Sequence, residues 1–146
     1  MSGRASEPSV LSTPLVDVVG LHHVTLIVTD VERSTAFFRD LFGYRALPRP
    51  NLPLDGAWLE RGPHQIHLVV SGEEVPETNQ HFALSVTDLD AAVAALRAAG
   101  HEVRGPVAVG AKDPEWRSTM RQASLRDPDG NVLEINDVPW RPEGTP

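Results

Sequence analysis

The sequence predicts an α+β fold of two tandem βαβββ modules, joined as a curved mixed β-sheet cup with the helices outside. Three observations predict it. An eight-residue phrase occurs twice, as His23-Val-Thr-Leu-Ile-Val-Thr-Asp30 and as His81-Phe-Ala-Leu-Ser-Val-Thr-Asp88. Each copy leads into a stretch with helical apolar spacing that stops at a glycine, Gly43 or Gly100. Short strand-like segments separated by Pro, Asn and Gly signals follow each helix.

In the first module Val24, Leu26 and Val28 alternate with His23, Thr25, Ile27 and Thr29, the period-two pattern of a strand. Asp30 is placed to cap the next helix, on which Phe37, Phe38, Leu41 and Phe42 form an apolar stripe. Gly43 supplies the stop. Strands are predicted near 44–48, 56–61 and 64–70. The second module repeats the order. A strand over 80–87 leads to Asp88 as cap, and the helix carries Leu89, Val93 and Leu96. Strands follow near 101–109, 118–126 and 131–136. Asp127-Pro-Asp-Gly-Asn131 is a turn signal, because Gly130 can adopt positive φ and close a hairpin. Residues 1–18 read as a flexible leader, 19–137 as one domain (modules 19–72 and 79–137), and 138–146 as a proline-rich tail.

Bulk properties exclude several classes of function. The chain has 146 residues, 40% hydrophobic and 23% charged, with a net charge of −7. No basic stripe offers a footprint for nucleic acid. With no cysteine there is neither a thiolate nucleophile nor a zinc ribbon. Apolar runs are strand-sized, short of the ~20 residues of a membrane span. A cytoplasmic protein with a small-molecule partner, and neither a nucleic-acid nor a membrane partner, is expected.

Strand parity adds a candidate site. Val24, Leu26 and Val28, like Phe82, Leu84 and Val86, are expected to face the helices. The opposite face then carries His23 in one copy and His81 in the other. Each module also ends in a matching strand, Gln65-Ile-His67-Leu68 and Val132-Leu-Glu134-Ile135. His67 and Glu134 sit between aliphatic residues and so share the parity of His23 and His81. A single histidine on a strand is usually structural. Four ligand-capable residues at equivalent positions of a repeat argue for a cation site instead, since uncompensated polar groups on one concave surface are costly. Imidazole and carboxylate donors suit Fe, Ni, Zn, Mn or Co. His22, His64 and His101 lie outside this pattern and are expected at the surface.

On these motifs the sequence resembles the vicinal oxygen chelate superfamily, the glyoxalase / bleomycin-resistance / dioxygenase group, over about residues 20–136. The run Arg49-Pro50, Gly56-Ala-Trp-Leu59 and Gln65-Ile-His-Leu68 looks most like its glyoxalase I-like subgroup. The resemblance places metal ligands on His23, His67, His81 and Glu134. It implies a divalent-metal-dependent lyase or isomerase that chelates vicinal oxygens of a small substrate, with Glu134 as catalytic base. In glyoxalase I and methylmalonyl-CoA epimerase relatives, the position of His67 more often holds Glu or Gln. Three imidazoles and one carboxylate leave a net positive charge on a divalent ion, which makes it a stronger Lewis acid. Arg49, Trp58, Trp116 and Arg121 are candidate substrate-binding residues at the rim, and 108–118 has the composition of a lid. One alternative is a non-haem Fe(II) ring-cleavage dioxygenase using His23, His81 and Glu134. Thiol transfer to an epoxide antibiotic and metal-free binding of a drug or metabolite are others. Open strand edges favour a homodimer.

Overall fold

The computed structural model describes residues 13–109 and 120–141. Strand β1 (His23–Ile27) leads to helix α1 (Val31–Phe42), followed by β2 (Arg45–Leu47), β3 (Gly56–Arg61) and β4 (His64–Val69). The second module repeats this with β5 (His81–Ser85), α2 (Leu89–Ala98), β6 (Arg104–Ala108), β7 (Arg121–Arg126) and β8 (Val132–Asn136). The predicted βαβββ repeat is therefore present in both halves. Each half forms a four-stranded sheet, ordered β1-β4-β3-β2 and β5-β8-β7-β6. Within each sheet the first and last strands pair in parallel and the remaining neighbours are antiparallel. Among the described residues no helix is long and apolar enough to cross a membrane.

Local chemistry sets the element ends. The Asp30 carboxylate accepts from the Arg33 N–H, and the Asp88 carboxylate accepts from the Ala91 N–H. Both bonds satisfy an amide that the first helical turn leaves free. Gly43 adopts φ 73° at the end of α1, and the Tyr44 N–H then reaches back to the Phe38 carbonyl. That bond occupies Tyr44, so β2 starts at Arg45 rather than at residue 44. Similarly, the His101 N–H bonds the Leu96 carbonyl as α2 terminates, which delays β6 to Arg104. Gly130 takes φ 93° in the turn between β7 and β8, as that junction requires.

The helices cover one face of the sheets. Phe37 and Phe38 of α1 are buried with Leu26, Leu59, Ile66 and Leu68, while Leu89, Val93 and Leu96 of α2 meet Leu125, Leu133 and Ile135. Truncating a fully buried residue such as Phe38 to alanine costs about 3–5 kcal/mol. The apolar layer continues between modules, where the Phe38 and Phe82 rings lie 6.4 Å apart. Polar ties reinforce it. Asn131 donates to the Ile27 carbonyl at 2.9 Å, and Thr29 donates to Asp129 through its hydroxyl at 2.6 Å. The opposite face carries His23, Thr25, Trp58 and His67 in one sheet and His81, Ser124 and Glu134 in the other, and the candidate site lies there.

Candidate metal centre

The second module carries one half of the site. Parallel pairing of β5 with β8 sets Ala83 opposite Glu134, and His81 lies two residues earlier on the same face. His81 Nε2 stands 3.8 Å from Glu134 Oε1. The other nitrogen of His81, Nδ1, lies 2.7 Å from the Asn79 carbonyl. A carbonyl only accepts, so Nδ1 donates to it, and Nε2 is the nitrogen turned toward Glu134. Asn136, buried at the end of β8, donates to Glu134 Oε2 at 2.9 Å. One carboxylate oxygen is thus held from behind and the other faces the histidine. This is how supporting hydrogen bonds orient metal ligands. The pair lines a cavity of about 430 Å³ together with Asn79, Arg104, Ser124 and Arg126.

The first module carries the counterpart. Parallel pairing of β1 with β4 sets Thr25 opposite His67, the same register that joins Ala83 to Glu134. The His23 and His67 rings stack with centroids 3.8 Å apart. Trp58, directly opposite His67 across β3 and β4, stacks on His67 with centroids 4.6 Å apart. His67 Nε2 lies 2.8 Å from Gln65 Oε1. With that oxygen accepting, Nε2 carries the proton and Nδ1 keeps its lone pair. Burial holds the His67 pKa below the ordinary imidazole value, and the neighbouring His23, His22 and Arg49 lower it further. A neutral imidazole is the form that ligates a metal.

The four residues singled out by the repeat therefore fall into two pairs, His23 with His67 and His81 with Glu134. Among the described residues, one group of three or more possible ligand atoms lies within 4.8 Å: His22, His23 and His67. Neither His81 nor Glu134 belongs to it, and the residues lining the cavity come from the second module and the adjoining Thr78. The chemistry of the donors fits a borderline divalent cation in each pair. The intact set of four is not gathered by this chain's own two sheets.

His22 is exposed as expected, whereas His64 and His101 are half-buried, and each of the three has a neighbour that the sequence did not announce. His22 Nδ1 lies 2.9 Å from His23 Nδ1. His22 precedes β1, so the alternation that sets His23 and His67 on one face does not exclude it from their neighbourhood. His64 opens β4 and its Nε2 lies 2.9 Å from the Tyr44 hydroxyl. His101 packs edge-on against Phe37 at 5.7 Å. Of the rim candidates, Trp58 is part of the imidazole stack and Arg49 lies close enough to His67 to lower its pKa. Arg49 also donates to the Leu54 carbonyl, and its buried Nε has no partner. Arg121 is held by Asp90 at 3.0 Å and by Asp137 at 3.4 Å, tying α2 to the second sheet. Trp116, and the predicted lid except for residues 108 and 109, lie outside the described residues. Sequence reasoning missed Gln65 and Asn136, which support His67 and Glu134. Both stand two residues from the side chain they hold, so strand parity contained the signal.

Comparison with known proteins agrees with this architecture. A lactoylglutathione lyase of Arabidopsis thaliana is 29% identical over 145 residues, covering 90% of this chain and 48% of that protein. The chain thus spans about half the length of the curated relatives it matches. A structure from Bacillus anthracis described as a glyoxalase family protein superposes with a TM-score of 0.69 at 25% identity, covering 83% of this chain and 96% of that one. The antibiotic-binding protein TnmS3 of Streptomyces sp. CB03234 superposes at 0.65 and 25%, covering 83% and 97%. The profile of the Glyoxalase/Bleomycin resistance protein/Dioxygenase superfamily matches residues 20–135, and the chain belongs to that superfamily.

Proposed function

We propose that the protein is a divalent-metal-dependent enzyme of glyoxalase type, a lyase or isomerase acting on a small molecule with two vicinal oxygens. The observation that carries this reading is the supported pair His81–Glu134. The Asn79 carbonyl accepts from Nδ1 with Nε2 turned toward Glu134, and Asn136 holds the far carboxylate oxygen. Such support is expected of ligands and is hard to explain for a solvated histidine and glutamate. The relationship to lactoylglutathione lyases points to the same class of chemistry.

In this reading His23, His67, His81 and Glu134 hold the ion, and the cation is Fe, Ni, Zn, Mn or Co. When bound, it supplies electrophilic stabilisation of negative charge developing on a substrate oxygen. Glu134 takes a proton from the carbon beside that oxygen and returns it to the neighbouring carbon. Since Oε2 is engaged by Asn136, Oε1 would have to loosen from the ion to act as the base. Arg49 and Trp58 border the first-module histidines and orient the substrate.

Because the chain's own sheets keep the ligand pairs apart, the full set is completed by a second copy. A twofold homodimer sets the first module of one chain against the second module of the other, giving two equivalent sites. The test is metal content and turnover of a hemithioacetal by metal-loaded wild type, His67→Ala and Glu134→Gln. Both variants are expected to lose turnover, and His67→Ala to lose most of the bound ion. Metal-dependent turnover that survives in Glu134→Gln eliminates its role as base. If wild type binds no divalent ion in titration, the protein is instead a metabolite- or drug-binding member of the superfamily.

A further inference from the structure

The four-ligand set leaves His22 without a role, although this residue stands beside two of its members. Its Nδ1 is 2.9 Å from His23 Nδ1, and its ring centroid is 6.2 Å from that of His67. The ligand atoms of His22, His23 and His67 all lie within 4.8 Å of one another. Two nitrogens on one ion, each at about 2.0–2.1 Å from it, are separated by roughly 3 Å. The His22–His23 spacing already meets that, and rotation of the exposed His22 and His23 side chains closes the rest. His67 needs no such freedom, since Trp58 stacks on its ring and Gln65 fixes its tautomer.

We propose that His22, His23 and His67 form a three-imidazole site for a borderline divalent cation, contained within one module of a single chain. The site rests on the same assignment of His23 and His67 as ligands and adds His22 to them. It gives the first module the capacity to retain the ion by itself, before a second chain contributes His81 and Glu134. Three neutral donors leave the ion's full charge uncompensated, and Arg49 adds positive charge beside it. The remaining coordination positions therefore favour anionic oxygen donors, such as a carboxylate or an enediolate, over neutral ones.

The test uses Co2+ titration of the metal-stripped full-length protein, followed by visible absorption and by paramagnetically shifted imidazole resonances. The starting variant is His81→Ala/Glu134→Gln, which removes the second-module pair. It is expected to bind one Co2+ per chain and to show shifted signals from three imidazoles. Adding His22→Ala is expected to weaken Co2+ binding at least about tenfold and to remove one imidazole signal. If His22→Ala leaves the affinity within twofold and the signals unchanged, or if the starting variant binds no Co2+, the three-imidazole site is overturned. The four-residue reading fails by a different result, namely that His81→Ala/Glu134→Gln binds Co2+ as tightly as wild type. Since His22 is exposed, its replacement leaves the fold intact, and a thermal melt serves as the control.

Discussion

The indole of Trp58 lies flat against the imidazole of His67, with centroids 4.6 Å apart and planes 10° from parallel. Direct opposition of the two residues across β3 and β4 produces this contact, and His23 closes the other face of the imidazole. The stack restricts His67 to one ring orientation before any ion arrives. Trp58→Ala is expected to weaken divalent metal binding several-fold by restoring that freedom, while Trp58→Phe keeps most of the affinity. Calorimetric titration of both variants with Zn2+ checks this; equal affinities in wild type and Trp58→Ala refute the orienting role.

Asn136 acts on Glu134 as Gln65 does on His67. Its amide donates to Glu134 Oε2, and its own oxygen accepts from the Val138 N–H. Asn136→Ala is expected to lower metal affinity by roughly 10–100-fold, the usual effect of losing a ligand's supporting bond. Loss of the Val138 contact adds about 1 kcal/mol of destabilisation. Titration and chemical denaturation of the same sample separate the two effects.

Asp129 joins the modules. Its carboxylate accepts from the Thr29 N–H and hydroxyl, from Arg33 and, at 3.4 Å, from the fully buried Ser34 hydroxyl. The Asp129 side chain is 7% exposed, so solvent does little to replace these bonds. Asp129→Ala is expected to destabilise the protein by roughly 2–3 kcal/mol. For a chain of this size that lowers Tm by about 5–10 °C, readable in a thermal melt.

Asp127 gives stability a pH dependence. Burial raises its pKa above the ordinary carboxylate value, and the nearby Asp129 raises it further; bonds from Asn131 and from the Asp129 amide oppose the shift. A folded-state pKa above the unfolded value favours the protonated form on folding. The contribution is present in full below about pH 3.8 and is lost as pH rises through the folded pKa. Asp127→Asn removes this loss. The variant is less stable at low pH, because its amide nitrogen faces Asn131 Nδ2 where Oδ2 accepted at 2.8 Å. Its Tm relative to wild type is expected to rise as pH increases from 3.5 toward 6. A constant difference across that range contradicts the assignment.

What the sequence revealed follows the range of the physical signal. Asp30, the Phe37–Phe38 stripe and Gly43 are local, so α1 was legible to the residue. Strand alternation is nearly as short-ranged, and it placed His67 and Glu134 at equivalent registers, opposite Thr25 and Ala83. The tie between Thr29 and Asp129 spans a hundred residues and has no local signature. Arg121 resembled a free anchor because nothing nearby in sequence announces Asp90. Internal symmetry marked the two candidate pairs as equivalent, but it carries no information on whether one chain brings them together.

Under the proposed function, the separation recorded between the two pairs assigns the completed site to two chains. In a twofold dimer with shared sites, a chain carrying His67→Ala retains an intact second module, and one carrying Glu134→Gln retains an intact first module. Each heterodimer then has one site with both defects and one with neither. Random exchange makes about half of the dimers heterodimers, so roughly a quarter of wild-type sites return. Neither variant alone regains any. Mixing the two inactive proteins under conditions of subunit exchange is therefore expected to restore about 25% of metal-dependent turnover. If the mixture stays inactive although mass spectrometry shows heterodimers, the four ligands are not shared between chains.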